Sequence, residues 1–245
     1  MGKCSKINEQ TKVFVMRTQE ELERIKQNIE PSGQIEDFIT SDERNNLLLY
    51  YNRKASDIVR KPTGPKTYNL ENYNDLDWLL DRLKASFGEF KPWSIQFFDT
   101  AVPHMIHNDD HPDNPNSYKT FLFPLSYNPW YPTTELEFFV FEQFYFQGEA
   151  KFIKNDPGKF PIYKNKMLTE YTDVENLATD PIDNDTANKL THLKKSWLEG
   201  LSVDKIFKWR FNSVIHFHPC QLHAAGNFLK HNVNRKIGLS IFTER

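Results

Sequence analysis

Imidazole is the side chain to follow in this sequence. Eight histidines occur, and seven of them fall in two short windows, 104–111 and 216–231; the eighth is His192. Neutral imidazole binds iron, zinc and copper, and a carboxylate beside it adds a hard oxygen donor. The first window reads PHMIHNDDHP from Pro103 to Pro112. Residues two apart in a strand face the same way, so His107 and Asp109 project together and can fill neighbouring positions on an octahedral ion. The same segment also suits a polar turn in which Asp109, Asp110 and Asp113 meet water. His111 would share the ligand face only if the strand ran past Asp110, and Pro112 argues against that.

The second window, His216 to His231, reads HFHPCQLHAAGNFLKH. Three readings compete. His223 can complete a two-histidine, one-carboxylate triad with His107 and Asp109, leaving positions open on Fe(II). His216, His218, Cys220 and His223 can form a zinc site, although the fragment PCQLH has neither the second cysteine nor the upstream H-x-E of a zinc deaminase. Finally, His216 and His218 can be packed strand residues with no metal, the preferred reading for those two. Arg235 and Lys236 follow His223 by twelve and thirteen residues, at the start of the strand-like run RKIGLSIFT. A buried cation is costly unless paired, and a bound dicarboxylic acid would pair one; a guanidinium grips a carboxylate with two parallel hydrogen bonds. Otherwise the two are solvated residues opening an edge strand.

Composition narrows the class. The 31 Lys+Arg against 33 Asp+Glu give a net charge of −2, so no dominant nucleic-acid surface is expected. Two cysteines, Cys4 and Cys220, exclude a disulfide framework and favour a reducing compartment. No run approaches the roughly 18 apolar residues of a membrane span. The opening MGKCSK has no apolar signal region, and Lys6 stands where myristoylation wants Ser or Thr. A cytoplasmic chain with no membrane partner is expected.

The positioning elements divide the chain as helices first, then strands. A short strand is expected over 12–16. A helix over 18–28 begins with a capping box, Thr18 and Glu21. A second helix is expected over 42–53, then a turn-rich stretch over 54–74. A third helix, 75–87, places Leu76, Leu79, Leu80 and Leu83 on one face and ends at Gly88. From Lys91 the texture becomes aromatic and β-branched. Strands are expected over 93–99, 103–109, 117–126, 135–142, 144–153, 206–218 and 235–243, with a helix over 186–200. The fold class is mainly β with N-terminal helices, and a double-sheet jelly roll is the economical architecture. One domain is expected over 1–245: helical support over 1–90 and a jelly-roll core over 91–245, with an insertion over 154–202 suited to a substrate lid. The segment 138–146 (FFVFEQFYF) reads as a core strand, and Trp130 and Tyr131 are candidates for substrate contact.

Taken together, His107-Asn108-Asp109, then His223, then Arg235 or Lys236, resemble the pattern of the Fe(II)/2-oxoglutarate-dependent dioxygenase superfamily, in its small bacterial and phage-type members. The flanks over 100–110, 118–126 and 209–228 are similar too, so the resemblance covers about 90–245. It implies a double-stranded β-helix core. It implies Fe(II) held by His107, Asp109 and His223, and 2-oxoglutarate held at its distal carboxylate by Arg235, which matches the family offset, or else by Lys236. Asn227 lies where an amide could support the cosubstrate. The family's Arg-x-Ser spacing is not reproduced from either cation. The implied activity is hydroxylation of a small molecule or peptidyl side chain with O2, releasing succinate and CO2. A cupin-like metalloenzyme without 2-oxoglutarate, or a non-catalytic jelly-roll binding protein, would need no buried cation.

Overall fold

The structure is a computed structural model that describes residues 17–55, 66–70, 73–111, 114, 116–128, 136–152, 166–167 and 174–245. Capping sets the first helices. In α1 (Gln19–Gln27), Thr18 and Glu21 form the reciprocal capping box. Before α2 (Ser41–Ala55), the Glu43 carboxylate accepts from the Thr40 N–H at 2.7 Å and the Thr40 hydroxyl accepts from the Glu43 N–H at 3.2 Å. A 3-10 turn over Asn74–Leu76 leads into α3 (Asp77–Phe87), which buries Leu79, Leu80 and Leu83 and ends at Gly88 with φ +82°. That conformation favours a residue without a Cβ.

Two antiparallel sheets follow. The strands are β1 (Gly33–Ile35), β2 (Lys66–Asn69), β3 (Lys91–Thr100), β4 (Ser117–Asn128), β5 (Glu137–Tyr145), β6 (Ala150–Lys151), β7 (Lys166–Met167), β8 (Val174–Glu175), β9 (Val203–Lys208), β10 (Val214–Phe217), β11 (Gln221–Ala225) and β12 (Arg235–Glu244). The larger sheet runs β1-β10-β4-β12-β3-β2; the smaller runs β11-β5-β8, with β9 also on β5. β6 and β7 form a short parallel pair. No described helix is long and apolar enough to cross a membrane.

Side-chain alternation sorts these strands into layers. On β12 and β3, Ile237, Leu239 and Ile241 with Ile95 and Phe97 face the leucines of α2 and α3. The opposite faces of the large sheet and of β5 share a second cluster, in which Leu122, Ile215 and Phe217 meet Phe138 and Val140. The outer face of β5, with Phe139 and Phe141, is covered by Leu190, Leu193, Leu198 and Leu201. The order is therefore helices, large sheet, small sheet and inserted segment. This is a double-stranded β-helix with N-terminal helices, as the pattern of elements predicts.

Several boundaries differ from expectation. The strand expected over 12–16 lies outside the described residues. The segment 103–109 is not a strand: His107 alone makes ladder contacts, one bridge each to Lys151 and His223. The helix expected over 186–200 stops after one and a half turns, as α4 (Asn184–Lys189), with a 3-10 turn at Lys195–Trp197 beyond it. The carbonyls of Asn188 and Lys189 are taken by the Lys230 ammonium at 2.7 Å and the Asn227 N–H at 2.8 Å, so tertiary partners replace the next turn. The run 206–218 is two strands, β9 and β10, broken where Asn212 turns at φ +66°. β5 runs unbroken to Tyr145, and the break falls at Gly148, φ +100°. Within the turn-rich 54–74, β2 adds an edge strand.

β12 carries the sharpest consequence of alternation. Arg235 shares its face with Ile237 and points toward the helices. Its Nε and Nη2 donate to the two oxygens of Asp99 at 2.8 and 2.9 Å, and the Tyr51 hydroxyl donates to the same carboxylate at 2.6 Å. Asp99 is 5% exposed and holds the guanidinium above its ordinary pKa. Replacing Arg235 by Met strands a buried carboxylate; a loss of about 1–3 kcal/mol is expected in urea unfolding. Ligand binding in the interior should be unaffected.

Candidate metal centre

The segment after β3 is held residue by residue. The His107 N–H donates to the His223 carbonyl at 3.0 Å, and the His223 N–H returns a bond to the His107 carbonyl at 2.8 Å. Asn108 is buried; its amide donates to the carbonyls of Tyr145 (3.0 Å) and Gly148 (2.9 Å), and its side-chain oxygen accepts from the Ala150 N–H at 2.7 Å. The Asp109 N–H donates to the Pro219 carbonyl at 2.9 Å. Asp110 is buried against Arg17, which also donates to the carbonyls of Phe146, His111 and Asn114, and the Ser117 hydroxyl donates to Asp110 at 2.8 Å. Segment 107–111 thus needs no strand neighbour along its whole length. Its polar groups are satisfied one at a time, as burial requires.

This tethering brings three donors together. One ligand atom from each of His107, Asp109 and His223 lies within 4.8 Å of the others, and these are the one such group among the described residues. Nε2 of His107 is 3.7 Å from one Asp109 oxygen, and Nε2 of His223 is 3.5 Å from the other. The Nδ1 atoms face backbone carbonyls, Met105 at 2.8 Å for His107 and Gln221 at 3.0 Å for His223. A ring nitrogen facing a carbonyl is the protonated one, so each Nε2 carries its lone pair toward Asp109. Burial pushes His107 well below the ordinary imidazole pKa, which keeps it neutral. Two imidazoles and one carboxylate fit a divalent ion of the iron, zinc or copper type. Phe138 and Phe217 pack on His223, with ring centroids 5.4 and 4.5 Å away.

The remaining histidines separate. His104 lies beside the triad: its Nδ1 is 3.3 Å from Nε2 of His107, and burial lowers its pKa to about 4. His192 faces the His104 carbonyl at 3.1 Å. His216 faces the other side of β10, against Phe87 of α3 at 4.8 Å. His218 accepts the Cys220 N–H at 3.2 Å. Cys220 is fully buried and its thiol is pushed far above its ordinary pKa. A zinc set of His216, His218, Cys220 and His223 does not assemble.

Lys236 is one residue from Arg235 and faces the other way. It is 3% exposed, in the layer between the sheets, with Nζ 3.6 Å from the Trp209 ring and 5.3 Å from that of Phe228. No carboxylate among the described residues pairs with it. Burial alone lowers its pKa to about 7. Trp209 and Phe228 belong to the same cluster as Phe138 and Phe217, so one apolar wall runs from Lys236 to His223. The structure does not bring Arg235 into this interior; Asp99 occupies it on the helix side. Asn227 is also elsewhere: its amide donates to Thr191 at 2.9 Å, and it lines a hollow with Glu137, Lys189 and His231. Trp130 and Tyr131 lie outside the described residues.

Arg17 and the tethering role of Asn108 escape the sequence reading; His104 belongs to the first histidine window, where it is a bystander or supporting residue rather than a ligand. Asn108 sits inside the H-x-D pattern, but its amide points away from the metal face. Arg17 is far from the loop in sequence, and no local spacing announces the pair.

No family model and no curated protein matches the sequence. The fold is similar to solved structures. One is the crystal structure of the epimerase SnoN in complex with Fe3+, alpha ketoglutarate and nogalamycin RO: 14% identity over 91% of this chain and 83% of that one, TM-score 0.51. Another is the non-heme alpha ketoglutarate dependent carbocyclase SnoK from nogalamycin biosynthesis: 10% identity over 93% and 84%, TM-score 0.51.

The Arg17 clamp gives a test of the tethering. Arg17→Met leaves the Asp110 carboxyl buried without its cation, which costs about 3–5 kcal/mol in chemical unfolding. Arg17→Met combined with Asp110→Leu should recover a large part of that loss; no recovery would assign the clamp's value to its carbonyl contacts instead.

Proposed function

We propose that this chain is an Fe(II)- and 2-oxoglutarate-dependent oxygenase. It would oxidise a small molecule or peptidyl side chain with O2, release succinate and CO2, and most simply hydroxylate its substrate. The observation that carries this reading is the pairing of an N,N,O donor triad with Lys236, a buried cation lacking an acid among the described residues, on one inter-sheet interior. Iron with 2-oxoglutarate and O2 would supply the oxidising power. His107, Asp109 and His223 would hold the iron, their orientation fixed by the bonds to Met105, Gln221 and the backbone bridge. Lys236 would hold the distal carboxylate. The role implied for Arg235 by its offset passes to Lys236, because Arg235 already grips Asp99. Phe138, Phe217 and Trp209 would exclude water between the two ends. The bound SnoN complex, with Fe3+ and alpha ketoglutarate, supports the reading by likeness of fold.

A cupin-like metalloenzyme without 2-oxoglutarate would give the triad no reason to share its interior with Lys236. The test is anaerobic. Fe(II) and 2-oxoglutarate should together give a weak visible charge-transfer band, and admitting air should release succinate. Metal binding without band or succinate would establish the cupin-like alternative, and no metal binding would leave the histidines incidental. Asp109→Ala should abolish 2-oxoglutarate turnover in a folded chain; unchanged turnover would sink the assignment.

Lys236 adds a pH signature. Its pKa near 7 in the free chain means that a dianion must restore the ammonium above that pH. Affinity for 2-oxoglutarate should therefore fall as pH rises through about 7, with up to one proton taken up per ligand at pH 8, read by calorimetry in two buffers. Lys236→Met should weaken 2-oxoglutarate binding by about one to two orders of magnitude and remove the proton uptake. The unfolded chain binds this proton to a higher pH than the folded one, so the group makes the ligand-free fold more stable as pH rises from about 7 toward 10. Lys236→Met should raise the ligand-free Tm at neutral pH.

A further inference from the structure

We propose that His104 is a cosubstrate-binding residue, whose Nδ1–H donates a hydrogen bond to the 2-oxoglutarate oxygen lying beside His107. This inference rests on the oxygenase reading above. It begins from proton positions. Nδ1 of His107 faces the Met105 carbonyl at 2.8 Å and carries the ring's hydrogen, so Nε2 of His107 is an acceptor. Nδ1 of His104 stands 3.3 Å from that Nε2, so it must be the donor of the pair. Its ring stands edge-on to His107, with centroids 4.6 Å apart and planes at 85°.

A metal ion on His107 takes the lone pair that His104 uses. The His104 N–H then loses its partner in a half-buried site, where an unmatched donor is costly and a ligand oxygen would satisfy it. Ligand atoms adjacent on an octahedral ion with bonds of about 2.1 Å lie about 3 Å apart. Nδ1 of His104, at 3.3 Å from Nε2, therefore stands at the rim of the coordination sphere next to His107. It is not itself in the group of donors within 4.8 Å of one another, which holds His107, Asp109 and His223. The position is that of a donor to a neighbouring oxygen.

The strand register says which oxygen. On β3, Thr100 pairs with Lys236 and Phe98 with Gly238, on the inward face. Phe98 in turn lies against His104, ring centroids 6.5 Å apart. Lys236, Thr100 and Phe98 thus follow one another on the inward face, and Phe98 leads to His104 and so to His107. A dicarboxylate held by Lys236 and by an ion at the triad would have His104 at its metal end, beside His107. The His104 carbonyl is bonded to His192, which fixes the backbone that aims the ring.

Two variants test this. His104→Leu removes the donor, whereas His104→Asn keeps an N–H donor at the place of Nδ1. Both are read by Co(II) affinity, by the Co(II) d–d spectrum and by the anaerobic Fe(II)/2-oxoglutarate charge-transfer titration, with thermal melts confirming that each is folded. The expected result is that Leu leaves the Co(II) spectrum unchanged and weakens 2-oxoglutarate about tenfold, and that Asn restores most of that affinity. Unchanged 2-oxoglutarate affinity in the Leu variant overturns the proposal. So does a lost or altered Co(II) spectrum, which would make His104 a metal ligand, and so does failure of Asn to rescue, which would make its role packing. A wild-type chain that gives no charge-transfer band at all defeats the oxygenase reading itself, a different outcome from any of these.

Discussion

The two backbone hydrogen bonds exchanged by His107 and His223 are the constraint on which the site depends. They join a loop to β11 at a single residue pair, and that pair is two of the three side chains that converge in the candidate metal centre. A loop ordinarily frays at such a joint, because one ladder rung offers little against its conformational entropy. Here the rung is backed on both sides. Asn108 fastens the loop to the turn after β5, the Asp109 N–H fastens it to Pro219, and Arg17 fastens Asp110 and the carbonyls beyond it. The three side chains are therefore held in place by the fold itself, the condition under which an ion would bind tightly and with selective geometry. The irregular backbone also lets His107 and Asp109 face one point without the strict pleat of a strand.

Alternation on β12 decides the second end of the interior. Arg235 and Lys236 are adjacent and both cationic, so composition and offset treat them alike. The pleat sends one to Asp99 and Tyr51 between sheet and helices, and the other into the layer shared by both sheets. The cation with a carboxylate in the fold is structural, and the one whose only described partners are aromatic faces is available to an anionic ligand. Cation–π contact offsets part of the desolvation cost, but it leaves the lysine pKa near 7, a sign that the site is incomplete as a charge pair.

Local structure and the motif of the triad were legible in the sequence; isolated long-range pairs were not. The capping box at Thr18, the leucine face of α3 with its stop at Gly88, and the strands 93–99, 117–126 and 235–243 follow from nearest-neighbour rules, and the structure has them. The triad was legible because H-x-D and the distal histidine carry their own spacing; the structure brings those donors together. The helix over 186–200 failed because partners from Asn227 and Lys230 capture its carbonyls. The loop 103–109 resembled a strand in composition, yet its hydrogen bonds go to four separate segments. Arg17 and Asp110 form a pair of high contact order, for which a sequence holds no periodic trace.

Desolvation acts on the two ends of this interior in opposite senses. For His107, burial disfavours the imidazolium and leaves the neutral ring, which is the ligand form. For Lys236, the same burial disfavours the ammonium and removes the charge that an anion would seek. On the oxygenase reading, a metal cation would meet His107 already in its neutral form, while a dicarboxylate would bring a proton to Lys236 as it binds. On that reading the asymmetry would couple the two ligands: an ion at the triad would draw the near carboxylate, and the far carboxylate would supply the counter-charge that makes a protonated Lys236 stable out of water. Neither end alone would repay the cost of a buried cation; a doubly charged molecule spanning both would.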